Sequence, residues 1–293
     1  MKAKAKGKWG LQNKVPLAAV LLLCTVFFLG GFYGAMLVSK DIPEEGRPRL
    51  KLSEILATEG EDDAVPVVPH GDTGEASLTS IPFQVLSWKP RALYFPNFAT
   101  KKQCEQVIKL AKSNLRPSSL ALRKGETEES TKNIRTSSGT FLSANEDKSG
   151  TLDSIEEKIA RATMIPRSHG EAFNVLRYNI GQKYDCHYDA FNPVEYGPQK
   201  SQRVASLLLY LSNVEEGGET MFPFENFKNM DTSYDYKKCV GLKVKPRQGD
   251  ALLFYSMFVN GTIDSTSLHG SCPVIEGEKW VATKWIRDQI QFD

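Results

Sequence analysis

Downstream of Pro166 the chain falls into short runs of strand-forming residues, and this rhythm constrains the fold more than any other feature. The runs are Ala172–Tyr178, Lys183–Asp189, Arg203–Leu211, Glu219–Phe222, Cys239–Lys245, Asp250–Tyr255, Leu268–Ser271 and Lys279–Arg287. Turn signals part them, notably Asn179-Ile180-Gly181, Glu216-Gly217-Gly218 and Arg247-Gln248-Gly249. Two further strands, Phe83–Ser87 and Ala92–Tyr94, come earlier, and two helices lie between. Thr100-Lys101-Lys102-Gln103 is a capping box opening a helix with Cys104, Val107, Ile108 and Ala111 on its apolar face. The second helix runs from about Leu152 to Thr163, turns Leu152, Ile155 and Ile159 inward, and is stopped by Pro166. Helices followed by many short strands predict an α+β domain, a double-stranded β-helix (jelly roll) with flanking helices packed outside it.

The two ends of the 293 residues are different materials. Residues 1–14 carry Lys2, Lys4, Lys6, Lys8 and Lys14 and no acid, and Val15 to Val38 carries no charge at all. At about 1.5 Å per residue, a helix over that run outreaches a hydrocarbon core of about 30 Å. A cleaved signal peptide has an apolar centre of about 7–15 residues, so the length favours an uncleaved anchor. With the lysines held in the cytoplasm, the expected topology is single-pass type II. The expected divisions are a cytoplasmic tail 1–14, a transmembrane signal anchor 15–38, a lumenal stem 39–81 and a globular domain 82–293. Glu59, Glu61, Asp62 and Asp63 with Pro43, Pro48, Pro66 and Pro69 give the stem its solvated, interrupted character, and His70 is a linker residue there. The net charge of +2 implies no nucleic-acid partner. The polar stretch Arg123–Gly139 inside the domain predicts either a disordered loop or a functional lid.

Chemistry concentrates at His187-Tyr188-Asp189. On a strand, residues two apart share a face, so an imidazole and a carboxylate converge on one point. Of the four histidines, His70, His169, His187 and His269, the last supplies a third ligand, and Lys279 follows it by ten positions. A lone His-x-Asp arises often by chance; the ordered set of His-x-Asp, distant His and Lys is far more specific. Two histidines and one carboxylate on one face of a metal form the triad of non-haem Fe(II) oxygenases, and the lysine can meet the far carboxylate of a dicarboxylate cosubstrate. On the last strand Lys279, Val281, Thr283, Trp285 and Arg287 share one parity, a mixture suited to a polar pocket inside a barrel, with a half-exposed edge strand as the alternative. Cys24 lies in the anchor, and Cys104, Cys186, Cys239 and Cys272 allow three full pairings that the sequence does not choose among. Cys186 has the opposite parity to His187 and reads as structural. Asn260-Gly261-Thr262 is the sole glycosylation sequon.

Four segments together carry a family resemblance: Arg177 to Asp189, Glu215 to Pro223, Gly249 to Phe254 and Leu268 to Pro273. Over roughly residues 82–290 the chain resembles the prolyl 4-hydroxylases, Fe(II)/2-oxoglutarate dioxygenases, and in its short anchored form the plant enzymes that modify cell-wall glycoproteins. The resemblance implies that His187, Asp189 and His269 bind Fe(2+). It implies that Lys279 binds 2-oxoglutarate, with Tyr178 and Thr220 as hydrogen-bonding neighbours. Tyr184, Arg203 and Trp285 match positions lining the substrate groove, and Arg287 stands where many relatives have His. The segment with Arg135 to Thr140 matches one that closes over the peptide. The implied reaction hydroxylates peptidyl proline in secretory proline-rich proteins, such as extensins and arabinogalactan proteins, coupled to oxidative decarboxylation of 2-oxoglutarate. O2 and L-ascorbate are the other implied cofactors, and the endoplasmic reticulum or Golgi membrane the implied location. Partners are proline-rich polypeptides, the membrane and a homo- or hetero-oligomer with related hydroxylases. A same-mechanism hydroxylase of another residue or small molecule, or a non-catalytic binding module, are the rival readings.

Overall fold

A computed structural model describes residues 22–30, 68–69, 77–78, 81–231, 235 and 238–291, in two units, Met1–Ala64 and Val65–Asp293. In the first, residues 22–30 form a helix with Leu22, Val26, Phe27 and Leu29 exposed. The tail, the remainder of the expected anchor and nearly all of the expected stem lie outside the described residues. Among the described residues, no helix is long and apolar enough to cross a membrane.

The second unit holds fourteen elements that matter here. In chain order they are β1 (Gln84–Trp88), β2 (Arg91–Phe95), α1 (Lys101–Lys112), β3 (Arg116–Pro117), β4 (Ser138–Leu142), α2 (Thr151–Thr163) and β5 (Phe173–Tyr178). Then follow β6 (Tyr184–His187), β7 (Arg203–Tyr210), β8 (Thr220–Phe222), β9 (Leu242–Val244), β10 (Ala251–Tyr255), β11 (His269–Ser271) and β12 (Lys279–Arg287). Eight strands form an antiparallel sheet in the order β1-β2-β10-β7-β12-β5-β4-β3, and four form a smaller antiparallel sheet, β9-β8-β11-β6.

Strand parity sorts the residues into two apolar layers. Val175, Leu207, Leu209, Leu253, Trp280 and Ala282 face the helices, where Val107 of α1 and Leu152, Ile155 and Ile159 of α2 bury against them. Leu176, Tyr178, Tyr210, Leu252, Phe254 and Val281, on the opposite parity, share a second cluster with Phe222 and Val244 of the small sheet. Both helices follow the sequence closely. Thr100 caps α1 through the Gln103 backbone, the reciprocal bond completes the box, and Met164 ends α2 in a left-handed conformation ahead of Pro166.

One expectation changes, and three points that the sequence left open are narrowed. The last strand is central, paired on both sides and buried up to Ile286, rather than a half-exposed edge. In the small sheet β6 ends at His187, so Asp189 lies in a bend beyond the strand and not on it. The polar stretch 123–139 is neither featureless nor detached: Glu128–Thr131 is a capped helical turn, and β4 begins at Ser138. Its centre is stitched along β6, since Asp185 N donates to Ile134 O and Thr136 N donates to Lys183 O. The one disulfide among the described residues joins Cys239 and Cys272 and leaves Cys104 a buried thiol.

Candidate active site

The small sheet and the bend after it assemble the triad. β11 runs antiparallel to β6 with His269 directly opposite His187, which brings the two rings to 4.3 Å between centroids. The bend then returns Asp189 toward both: Oδ1 lies 3.5 Å from His187 Nε2 and Oδ2 3.7 Å from His269 Nε2. Ser206 on β7 fixes the carboxylate from behind, its hydroxyl donating to Asp189 Oδ2 at 2.5 Å. Asp189 and His269 are each 5% exposed, so the cluster is nearly dry on the protein side.

Each ring is oriented by its own backbone. His187 Nδ1 lies 2.9 Å from Asp185 O, and His269 Nδ1 3.0 Å from Ser267 O. A carbonyl only accepts, so both Nδ1 atoms carry the proton and both Nε2 lone pairs face the carboxylate. Burial, and then His187, push His269 down to about 4, which keeps it neutral. Two imidazoles and one carboxylate, with their ligand atoms all within 4.8 Å of one another, are the donor set a non-haem Fe(II) site needs. A second group, Glu219 with Cys239 and Cys272, is not such a set, because its sulfurs are joined in the disulfide.

Lys279 lies deeper, between the sheets. It is 2% exposed, donates from Nζ to Ser271 Oγ at 2.8 Å, and has its ammonium 5.3 Å from the Tyr178 ring and 6.0 Å from the Tyr210 ring. Thr220, opposite Ser271 on β8, shares a 2.8 Å hydrogen bond with the Tyr210 hydroxyl. Burial pulls the Lys279 ammonium down to about 7, against a weaker opposing pull from Glu219. A buried cation ringed by hydroxyls and without an ion-pair partner among the described residues suits one carboxylate of a small dianion.

From the triad a cavity of about 1030 Å³ opens outward. Tyr184, Arg203 and Trp285 line it, as do Arg135, Phe141, Tyr196 and Asn174. The Tyr184 ring stacks on His187 at 3.7 Å, and the Arg135 guanidinium lies 4.7 Å from the centre of the same Tyr184 ring. Arg203 stacks on Trp285 at 3.7 Å and grips Glu171 through Nε and Nη2, each at 2.7 Å. Arg287 Nε donates to Glu171 Oε1, the oxygen that Arg203 Nε also takes, at 2.7 Å, and Nη1 donates to Ser201 O at 2.9 Å; Arg287 is not among the cavity's lining residues. Cys186 lines the cavity too, with its sulfur beside Gly270 of β11. His169 lies elsewhere, its Nδ1 on Arg287 O, and Asn260 is exposed, its Oδ1 accepting from Thr262 N and Oγ1.

Ser206, Ser271, Tyr210 and Glu171 escaped the reading of the sequence. Ser271 was within reach, since it shares strand parity with His269. Ser206 and Glu171 gave no local sign, because they meet the site only through the pairing of distant strands.

The family model of the 2OG-Fe(II) oxygenase superfamily matches residues 173–287. The chain is 66% identical over 288 residues to "Probable prolyl 4-hydroxylase 9" of Arabidopsis thaliana, covering 98% of the chain and 99% of that relative. It is 56% identical over 283 residues to "Prolyl 4-hydroxylase 13" of the same plant, covering 96% of the chain and 98% of the relative. Among solved structures, the 2OG complex of a viral collagen prolyl hydroxylase from Paramecium Bursaria Chlorella virus-1 is 28% identical, with a TM-score of 0.49, over 67% of this chain and 95% of that one.

Proposed function

The chain belongs to the plant-type prolyl 4-hydroxylases of the 2OG-Fe(II) oxygenase superfamily, and from that premise we propose the assignment of its residues, its substrate and its location. It is an enzyme of proline hydroxylation that uses Fe(2+), 2-oxoglutarate and O2, and ascorbate is typical of the family. The observation that carries the assignment is the convergence of His187, Asp189 and His269 behind an open cavity, with a buried Lys279 between the same two sheets.

In this reading His187, Asp189 and His269 hold the iron through Nε2, one carboxylate oxygen and Nε2. Iron in that site, with its cosubstrates, supplies the oxidising power; the protein supplies position and dryness. Ser206 keeps Asp189 turned inward, and the two backbone carbonyls keep each imidazole in the tautomer that ligates. Lys279 takes the distal carboxylate of 2-oxoglutarate, and Tyr178, Thr220, Tyr210 and Ser271 supply hydroxyls around it. The peptide lies in the outer cavity against Tyr184, Trp285 and Arg203, and Arg287 holds Glu171, which in turn holds Arg203. A proline-rich peptide in polyproline II form loses little entropy on binding such a groove.

The substrates we propose are secretory proline-rich proteins, extensins and arabinogalactan proteins among them, met in the endoplasmic reticulum or Golgi by a lumenal domain on a type II anchor. The uncharged run 15–38, the lysines before it and the exposed sequon at Asn260 support that location. The test is succinate formation from 2-oxoglutarate with and without proline-rich peptides, with the peptide then analysed for 4-hydroxyproline. Stimulation together with hydroxylated proline is expected. Stimulation by lysyl peptides or small molecules in place of prolyl peptides would overturn the substrate assignment.

A further inference from the structure

Strand pairing alone does not fix the third ligand of the triad against the other two. On β6 three residue steps separate Tyr184 from His187, whereas on β11 two steps separate their partners Ser271 and His269. An extra residue is thus accommodated in β6 directly beside the ligand pair, where it disrupts the ladder. Past His187 the strand ends, and Asp189 follows in the bend. The segment that carries two ligands and the segment that carries the third therefore need a tie beyond the last rung of the ladder.

Tyr188, the middle residue of the His-x-Asp step, reaches that far. Its hydroxyl donates to Ser265 O at 3.1 Å, across 77 positions of chain. Ser265 opens the short 3-10 turn Ser265–Ser267 that leads into β11. Hydrogen bonds make this turn one rigid piece. Asp264, 1% exposed, accepts through Oδ1 from Thr266 N at 2.9 Å and from Thr266 Oγ1 at 2.6 Å. Ser267 donates to Asp264 O from N at 2.9 Å and from Oγ at 2.7 Å, and Asp264 N donates to Ser256 O just past β10. The last carbonyl of the turn, Ser267 O, is the acceptor that orients the His269 ring. Whatever fixes Ser265 thus fixes, two residues on, the atom that aims His269 Nε2 at the carboxylate. We propose that Tyr188 is a positioning residue for the metal site, its hydroxyl locking the turn that carries His269 to the segment that carries His187 and Asp189. The inference rests on the triad being the metal site and adds to it a residue that ligates nothing. Tyr188 is half-buried, so when its hydroxyl is removed water can take its place at Ser265 O. Folding stability is then kept while the fixed spacing between the two segments is lost.

The test compares wild type with Tyr188→Phe, which keeps the ring and drops only the donor. Full-length protein in detergent is stripped of metal and titrated with Co(II), whose visible absorption reports the geometry of its ligands. Loss of one hydrogen bond's net contribution should raise the Co(II) Kd about three- to tenfold. The visible band should change shape, and the melting temperature of the metal-free protein should not move. Co(II) affinity and spectrum both unchanged in Tyr188→Phe overturn the proposal. A rise in the peptide KM alone would then make the residue a groove contact, and a fall in the metal-free melting temperature alone would make its role structural. His269→Ala that binds Co(II) as tightly as wild type would instead overturn the triad reading, which keeps the two failures apart.

Discussion

Lys279 is the residue at which charge and burial conflict most sharply. Its ammonium is desolvated between two sheets and held by a neutral hydroxyl, so an incoming carboxylate is the missing half of a pair. Removing one partner of such a pair costs about 2–5 kcal/mol, or tens- to thousands-fold in affinity. Lys279→Ala should therefore raise the 2-oxoglutarate KM by that range and leave iron content largely intact. Lys279→Arg should recover part of it, because charge returns while reach and shape differ. An unchanged KM in Lys279→Ala, with only a lower melting temperature, would reduce the residue to a structural role. The depressed pKa adds a pH dependence whose sign can be worked out. With no anion bound the amine is protonated below about 7 and neutral above it, while the bound carboxylate requires the cation. Binding thus takes up a proton above about pH 7, and the 2-oxoglutarate Kd should rise with pH there, by up to about tenfold per unit. Calorimetric titration between pH 6 and 8.5 measures it. The triad yields a separate expectation: His187→Ala, Asp189→Ala and His269→Ala should each abolish iron-dependent turnover and bound iron. His169→Ala should retain both, since that ring only meets a backbone carbonyl outside the cavity. Full turnover by His269→Ala would remove it from the ligand set.

At the scale of elements, α2 is fixed to the large sheet by more than apolar contact. Lys284, 4% exposed on the helix-facing side of β12, puts Nζ 2.5 Å from Glu156 Oε1 of α2 and 4.5 Å from the centre of the Phe173 ring. The other Glu156 oxygen accepts from Arg167 Nη2 at 3.0 Å. Glu156→Ala would strand a buried ammonium, at a cost of about 3–5 kcal/mol. Glu156→Leu with Lys284→Met should regain most of that loss, which denaturant melts of the three proteins would register. A single mutant as stable as wild type would mean that water already reaches Lys284. This pairing marks the limit of what the sequence could disclose about elements. The helices were legible because a capping box and a 3.6-residue period are local signals, and β12 because its parity separates Trp280 and Ala282 from Lys279 and Trp285. Asp189 was legible as a ligand for a reason the structure changes: the approach to His187 comes from a bend, not from strand alternation. β4 went unread because Ser138-Gly139-Thr140 looks like loop and becomes a strand only by pairing with β5. The Cys239–Cys272 bond was open for the same reason, since it depends on which loops the small sheet brings together.

For the whole molecule, composition makes an assertion that the residue and element scales do not. A run from Val15 to Val38 with no charge, preceded by five lysines and no acid, is costly in water and stable in a bilayer. Lysines flanking a first span stay on the cytoplasmic side, so the domain that follows, with its disulfide, should face the lumen. Lumenal placement exposes the enzyme to nascent secretory chains, which is where the proposed proline-rich substrates are found. Two independent measurements bear on it. In sealed microsomes, added protease should spare everything after about residue 40 and digest the domain only once detergent opens the vesicles. Asn260, exposed in a turn whose Thr262 already bonds its side chain, should carry a glycan, and Asn260→Gln should abolish the mass loss produced by an endoglycosidase. The two readouts fail differently. Protection without a glycan would leave the orientation standing and remove the modification. Digestion of the domain in intact vesicles, with no glycan at Asn260, would place it in the cytoplasm, away from cell-wall glycoproteins in transit, and would overturn the proposed substrates along with the topology.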